Sequence, residues 1–379
     1  MIKDLGIYIH IPFCASKCAY CDFYSFPADD ETKRAYADAL RRQTACAAKE
    51  ISRDYRVVSV FFGGGTPSIL DAGLLMGVLD EVRADFAMAE DCEITVECNP
   101  GTADSAKLRA YRQSGVNRLS LGLQSANDGE LRRLGRIHSF GDFARSYEAA
   151  RKCGFDNINV DLMSAIPGQT AESWLQTLRT AAALRPEHIS AYSLIIEEGT
   201  PLGDIAAQGI ERLELPDEET EREMYRMTEE YLGRAGYAHY EISNYARADR
   251  ECRHNVIYWK RGAYLGFGAG ASSFINEKRY TAARDISAYI ANPENAFGEA
   301  ECLTASDAMS EFMFLGLRML RGVKHSDFRR CFGRQLDNVY GGIIDKYAAS
   351  GHIIDDGESV RLSSAGIDVS NYILADFII

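Results

Sequence analysis

Three cysteines, Cys14, Cys18 and Cys21, fall within eight positions in the stretch HIPFCASKCAYCDF, residues 10–23. Thiolates bind metals, and a closed tetrahedral site takes four ligands of sulfur or nitrogen. Two metal chemistries accommodate three thiols. A zinc ion could take His10 as its fourth ligand, although a strand would fix the direction of that side chain and no second ligand pair follows. The alternative is a [4Fe–4S] cluster on three thiolates, whose fourth iron stays open to chelate an amine and a carboxylate. Such a cluster passes one electron into a bound sulfonium, the chemistry that cleaves S-adenosylmethionine to a 5′-deoxyadenosyl radical.

The elements that must position these groups show in the hydrophobic pattern. Apolar runs at residues 6–10, 57–62, 94–98, 119–123, 158–163 and 189–195 have the length of buried parallel strands. Helical stretches are predicted at 32–49, 69–86, 106–114, 142–153, 172–184 and 218–235. Right-handed crossovers curl six such units into an open three-quarter (βα)6 barrel or a wound sheet, with ligands at the carboxyl ends of the strands. Each end carries polar or glycine-rich residues: the cysteines, then FFGGGTPS, ECNP, GLQS and NVDLM. Taken alone, Gly63-Gly64-Gly65 is an ordinary tight turn, and Glu97, Gln124 and Asp161 are ordinary caps or loop residues. Their place on one rim points to a shared ligand. No Gly-Lys-Ser/Thr follows the glycines, so this is not a P-loop; the glycines are expected to let backbone approach the ligand.

Cys14-x3-Cys18-x2-Cys21, with Tyr20 before the last cysteine, resembles the signature of the radical S-adenosylmethionine superfamily. YIHIPFC, GGGTPS, ECNP, GLQS, DLM, HNVIYW and GFGAGASS resemble the oxygen-independent coproporphyrinogen III oxidase family, and within it the haem-chaperone (HemW-type) branch. The resemblance covers nearly the whole chain. It implies a [4Fe–4S] cluster on the three cysteines, with Tyr8 and Tyr20 against the cluster and its ligand. It implies that Gly64, Gly65 and Thr66 line the methionyl part of S-adenosylmethionine, that Glu97, Gln124, Arg136 and Asp161 make further contacts, and that Ile195 bounds the adenine. By residue type, carboxylates accept from ammonium and ribose hydroxyls and an arginine answers a carboxylate. His254 in HNVIYW is the candidate haem ligand, with Tyr258 and Trp259 as flat surface for a porphyrin; a satisfied core histidine is the competing reading.

One departure bears on the branch. The coproporphyrinogen-processing members carry a further cysteine two residues after the third, where this chain has Phe23, and a longer segment ahead of the cluster. Both points favour a haem chaperone that delivers haem to a haemoprotein, respiratory or membrane-associated, and that needs a reductant for its cluster. The alternative is an oxidase converting coproporphyrinogen III to protoporphyrinogen IX.

The 379 residues carry a formal charge of −13. That excludes broad electrostatic binding to nucleic acid or anionic membrane. No apolar stretch reaches the roughly 18 residues of a membrane span, and MIKDLGIYIH does not read as a leader. The other seven of the ten cysteines are scattered singly, which suits a reducing cytoplasm. The expected division is a partial barrel at 1–243, a connecting segment with the HNxxYW motif at 244–300, and a winged-helix-like cap at 301–379.

Overall fold

The computed structural model describes residues 2–379. Six parallel strands form its centre: β1 (Lys3–Ile11), β2 (Tyr55–Gly64), β3 (Met88–Cys98), β4 (Arg118–Gln124), β5 (Ile158–Ser164) and β6 (His188–Ser193), hydrogen-bonded in chain order. Between them run α1 (Asp30–Ile51), α2 (Ala72–Asp85), α3 (Ser105–Gln113), α4 (Asp128–Arg133), α5 (Phe140–Lys152) and α6 (Ala171–Ala183). All seven residues of β4 are buried, as expected of a strand covered on both faces. The helices start where a side chain satisfies a free backbone N–H: Asp29, Asp71, Asp104 and Thr170 cap α1, α2, α3 and α6, and Ser139 with Asp142 forms a capping box on α5.

Two short helices lay below the reach of periodicity. α4 has six residues capped by Asn127, and α7 (Pro201–Ala206) starts on Thr200 with proline at its first turn. α8 (Glu218–Arg234) then leads into β7 (Ala238–Glu241) and β8 (Asn244–Ala246), an antiparallel pair on the edge beyond β6. β6 itself stops at Ser193, so Ile195 lies in the following loop instead of on the strand.

Residues 244–300, which read as an irregular connector, are built into the same sheet. After α9 (Arg253–Trp259), β9 (Tyr264–Phe267) pairs in parallel with β1, and β10 (Ser272–Ile275), β11 (Lys278–Thr281) and β12 (Glu301–Cys302) extend that edge. The result is a mixed sheet of 12 strands. α10 (Ile286–Ala291) packs on α1, where Tyr289 donates to Gln43 Oε1 over 2.6 Å.

The carboxyl-terminal part has its own core of Met313, Phe328, Leu336, Tyr340, Val360 and Phe377. α11 (Ala305–Gly316), α12 (His325–Phe332) and α13 (Asp337–Ala349) pack on a three-stranded antiparallel sheet of β13 (Val323–Lys324), β14 (Ile353–Asp355) and β15 (Ser359–Leu362), a winged-helix-like arrangement. Buried Glu311 ties it to the main sheet by accepting from Arg261 Nε at 2.9 Å and Arg279 Nη2 at 2.6 Å. The Arg318 guanidinium stacks on Trp259, 4.4 Å from the ring centre.

Candidate metal and cofactor site

Past β1 the chain enters the cysteine loop, which three distant elements hold. Cys14 N–H donates to Phe26 O over 3.1 Å, Ala19 N–H to Leu134 O over 3.0 Å, and Leu202 N–H to Ala19 O over 3.0 Å. Cys14 is buried, Cys18 and Cys21 are partly exposed, and all three are free thiols. His10 is no fourth ligand for a zinc ion, because Nδ1 bonds the Tyr8 hydroxyl at 3.0 Å and Nε2 the Tyr24 carbonyl at 3.0 Å. Two donors already face the sulfurs: Thr66 Oγ1 stands 3.4 Å from Cys14 Sγ, and Arg136 Nη1 donates to Cys18 Sγ over 3.5 Å. Such contacts tune the potential of a thiolate-held cluster.

The glycines serve the loop itself. Gly65 N–H donates to Ile11 O over 2.9 Å and Thr66 N–H to Phe13 O over 2.8 Å, so the end of β2 lies directly on the backbone leading into the cysteines. A Cβ on Gly65 would meet Phe13 O at 2.7 Å, and one on Gly64, whose φ is +109°, would meet the His10 ring at 2.5 Å. Backbone approach is required here, as the sequence suggested, with the chain's own loop as one partner in it.

The strand ends converge on a cavity of about 490 Å³ lined by the three cysteines, Tyr20, Gly64, Gly65, Thr66, Glu97, Gln124, Arg136, Asp161 and Ile195. Arg136 reaches it from the turn after α4, where its Nη2 donates to Asn99 Oδ1 and to Gly122 O, both at 2.9 Å. Its Nε is buried with no partner, a donor left for a ligand. Asn99 also donates to Thr66 Oγ1 over 2.7 Å, linking the second and third strand ends. Glu97 accepts from Gly64 N–H over 3.2 Å; burial, with Asp161 nearby, pushes its carboxyl up to about 8. Asp161 accepts from Ser120 Oγ at 3.0 Å and Asn159 Nδ2 at 2.7 Å, and burial pushes it upward as well. Gln124 adopts φ of 69° and takes a 3.0 Å bond from the Tyr192 hydroxyl. A wall of recessed carboxylates with one guanidinium suits a zwitterionic ligand that also carries hydroxyls.

The model of the radical SAM superfamily matches residues 8–181, and that of the HemN C-terminal domain matches 303–369. The chain is 36% identical to the heme chaperone HemW of Bacillus subtilis, over 98% of both chains. This chain belongs to the radical SAM superfamily, in the HemW family. It is also 34% identical to the mouse mitochondrial radical S-adenosyl methionine domain-containing protein 1, covering 97% of this chain and 86% of that one. Among solved structures, coproporphyrinogen III oxidase (HemN) from Escherichia coli superimposes with a TM-score of 0.86 at 22% identity, over 100% of this chain and 90% of that one. That likeness is one of fold. The open partial barrel expected from the six strand-helix units is thus the radical SAM fold.

Two expected site residues of this HemW-family chain lie elsewhere. Tyr8 lines a second cavity of about 560 Å³, together with His10, Tyr24, Tyr258, Trp259, Tyr264, Phe274, Arg284 and Leu315. It stands behind the rim, where a Cβ on Gly63 would be 3.0 Å from the Tyr8 ring and 3.1 Å from Glu97. His254 lines neither cavity. It is buried, stacked 5.1 Å from Phe61, and both its ring nitrogens are engaged, Nδ1 with Ser59 Oγ at 2.9 Å and Nε2 with the Tyr258 hydroxyl at 2.8 Å. Burial drops its pKa to about 3, so it is a neutral, satisfied core histidine in this conformation. Asp22 and Phe23 line both cavities, which makes Phe23 the wall between them.

The sequence reading missed Asn99, Ser120, Asn159 and Tyr192. Asn99 sits inside the quoted ECNP, so the strand-end rule already contained it. The other three alternate along strands with core residues, and period-2 placement on the lumen face was their only signal.

Proposed function

We propose that this HemW-family protein is a haem chaperone that holds a [4Fe–4S] cluster on Cys14, Cys18 and Cys21, binds S-adenosylmethionine at the adjoining strand ends, and delivers haem to an acceptor haemoprotein. The observation that carries the reading is the match along nearly the whole chain to a protein named heme chaperone HemW. Phe23 in place of a further cysteine supports it over the oxidase alternative. Thr66, Glu97, Gln124, Arg136 and Asp161 orient the ligand, with Arg136 Nε as the free donor for its carboxylate and the recessed carboxylates as acceptors for its ammonium and hydroxyls. When bound, the cluster supplies a single low-potential electron.

For haem, the aromatic cavity beside the cluster is the favoured seat. Tyr258, Trp259, Tyr264 and Phe274 offer flat surface, and Arg284 stands at its edge for a propionate. His254 enters this reading through Tyr258, whose hydroxyl it holds; ligation of iron by His254 itself would require that bond to break. The cavity is lined from β1 and the cysteine loop, from residues 258–284 and from α11. Among the described residues no helix is long and apolar enough to cross a membrane, which fits a cytoplasmic chaperone handing haem to a respiratory, membrane-associated acceptor.

The test is made on one anaerobically reconstituted sample. Iron and sulfide content, a haemin titration and coproporphyrinogen turnover are measured together. Stoichiometric haem binding without porphyrin product supports the chaperone, and product formation assigns the oxidase. His254→Gln, which keeps a hydrogen-bonding ring substitute, should retain the Soret band; its loss returns His254 to the iron.

A further inference from the structure

We infer that His188, the first residue of β6, is a positioning residue for the cofactor site: as its Nδ1–H tautomer it fixes the Asn159 amide, and through that amide the Asp161 carboxylate that meets the ligand. The inference rests on the S-adenosylmethionine reading. Of these three side chains only Asp161 lines the cavity. A single run of hydrogen bonds leads from it into the barrel interior. Asp161 Oδ1 accepts from Asn159 Nδ2 at 2.7 Å, Asn159 Oδ1 meets His188 Nδ1 at 2.6 Å, and His188 Nε2 meets the Tyr240 hydroxyl at 2.8 Å. The oxygen of that hydroxyl accepts from Cys252 N–H over 3.2 Å. Asn159, His188 and Tyr240 are all buried. Tyr240 comes from β7, and Cys252 stands immediately before α9, the helix that carries HNVIYW.

Only one assignment of hydrogens satisfies this run. A backbone N–H can only donate, so the Tyr240 oxygen accepts from Cys252 and its own hydrogen must go to His188 Nε2. Nε2 is then the bare nitrogen, and Nδ1 carries the hydrogen and donates it to Asn159 Oδ1. Burial, with the Arg118 guanidinium nearby, holds His188 well below the ordinary imidazole range, so the ring keeps a single hydrogen. The Asn159 oxygen is thereby committed to His188, and to the Ser190 hydroxyl at 3.2 Å. Both of its N–H groups turn the other way, to Asp161 Oδ1 and to Ser120 Oγ, each at 2.7 Å. A reversed amide would set its oxygen against the carboxylate and its nitrogen against the His188 N–H. Ser120 in turn donates to Asp161 Oδ2 over 3.0 Å. Each oxygen of Asp161 thus receives one bond from the barrel interior, about half of the roughly four positions a carboxylate offers, and the others remain for the ligand. The same two donors oppose the protonation that burial favours. A direction that starts at an obligate backbone donor therefore ends at the group that binds, and a buried network satisfied in this way is rigid.

The test joins nitrogen NMR of the histidine-labelled full chain with calorimetry of the reconstituted protein titrated with S-adenosylmethionine. In the parent at neutral pH, the His188 signal, identified by its absence in His188→Asn, should be that of the neutral Nδ1–H tautomer. An Nε2–H tautomer or an imidazolium overturns the inference, whatever the variants do. His188→Leu removes the donor to Asn159, and Tyr240→Phe removes the hydroxyl that selects the tautomer while leaving His188, Asn159 and Asp161 in place. Each should weaken S-adenosylmethionine binding roughly tenfold, the loss expected when a hydrogen bond to a charged group is no longer held. Tyr240→Phe should also move the His188 signal away from the pure Nδ1–H form. His188→Asn, which restores an N–H close to the place of Nδ1, should bind at close to the parent's affinity. Tyr237→Phe is the control: its hydroxyl donates to Pro186 O over 2.7 Å, so the variant loses a buried hydroxyl bond of the same kind beside the start of β6 but should bind as the parent does. Parent-like affinity in both His188→Leu and Tyr240→Phe would make the run structural and overturn the inference; should His188→Leu fail to fold, Tyr240→Phe decides. A parent that loads its cluster yet binds no S-adenosylmethionine overturns the cofactor reading, and the positioning role with it, whereas a binding parent with unaffected variants overturns the positioning role alone.

Discussion

Gly65→Ala tests the claim that the second strand end is a cradle for the cysteine loop. The added methyl would stand 2.7 Å from Phe13 O, 3.0 Å from Ile11 O and 3.0 Å from Phe13 N. All three are backbone atoms, and Pro12, between Ile11 and Phe13, also leaves the loop little freedom to yield. The strand end and the loop must part by several tenths of an ångström, which stretches the 2.9 Å and 2.8 Å hydrogen bonds that Gly65 and Thr66 donate. Overpacking of this kind costs about 1–3 kcal/mol, and each weakened bond up to about 1 kcal/mol more, so a loss of roughly 2–4 kcal/mol is expected. Because the movement is at Thr66 and Cys14, which are 3.4 Å apart, iron uptake and S-adenosylmethionine affinity should fall with it. The control is Gly77→Ala in the middle of α2, where the new methyl meets nothing within 4 Å and should stabilise by about 0.5–1 kcal/mol. Chemical unfolding of the metal-free proteins, iron analysis after reconstitution and calorimetry with S-adenosylmethionine give the three readouts. A Gly65→Ala protein that unfolds at the parent's midpoint and loads iron normally would refute the cradle.

Glu97, held up to about 8 by burial and by Asp161, is protonated in the ligand-free protein below that pH. Its raised pKa stabilises the ligand-free fold most fully below the unfolded value, and this contribution is lost as pH rises through about 8. A cationic ligand needs the carboxylate, so binding below pH 8 should release a proton and tighten up to about tenfold per pH unit as pH rises. Calorimetry in buffers of different ionisation enthalpy reads the proton, and Glu97→Gln should flatten the dependence; an equal slope in the variant refutes the assignment. Glu311→Gln removes the charge shared by Arg261 and Arg279, of which Arg261 is nearly enclosed. Loss of one partner of a buried ion pair costs about 3–5 kcal/mol, reduced here because Glu277 still pairs with Arg261. A fall of about 2–3 kcal/mol in unfolding stability is expected, and an unchanged midpoint means that Glu311 does not hold the two cores together.

Much of the site was legible because the information is local or follows a topological rule. Cys14, Cys18 and Cys21 share one loop, so their spacing alone states a metal chemistry. Glu97, Gln124 and Asp161 were found by strand alternation plus the rule that ligands meet carboxyl ends, and the structure lines one cavity with all three. Arg136 carried no such signal, since it follows a six-residue helix too short for periodicity to show, and the turn at Gly135 aims it inward. β9 was missed for a related reason: four residues cannot announce a strand, and its partner β1 lies more than 250 positions away.

By itself, then, the amino-acid sequence determined the metal loop, the strand-helix alternation and the end of the sheet at which chemistry happens. These depend on periods of two or 3.6 residues and on short spacings, which the chain carries whatever its surroundings. Tertiary structure alone decided which atoms remain free to act. His254 looked available until folding brought Ser59, 195 positions away, against one ring nitrogen and Tyr258 against the other. Tyr8 pointed at the cluster by analogy, yet it lines the neighbouring cavity, where its hydroxyl bonds His10 Nδ1 at 3.0 Å. Whether a polar group is satisfied or open depends on partners brought from distant parts of the chain, and in a buried site that difference separates a structural residue from a functional one.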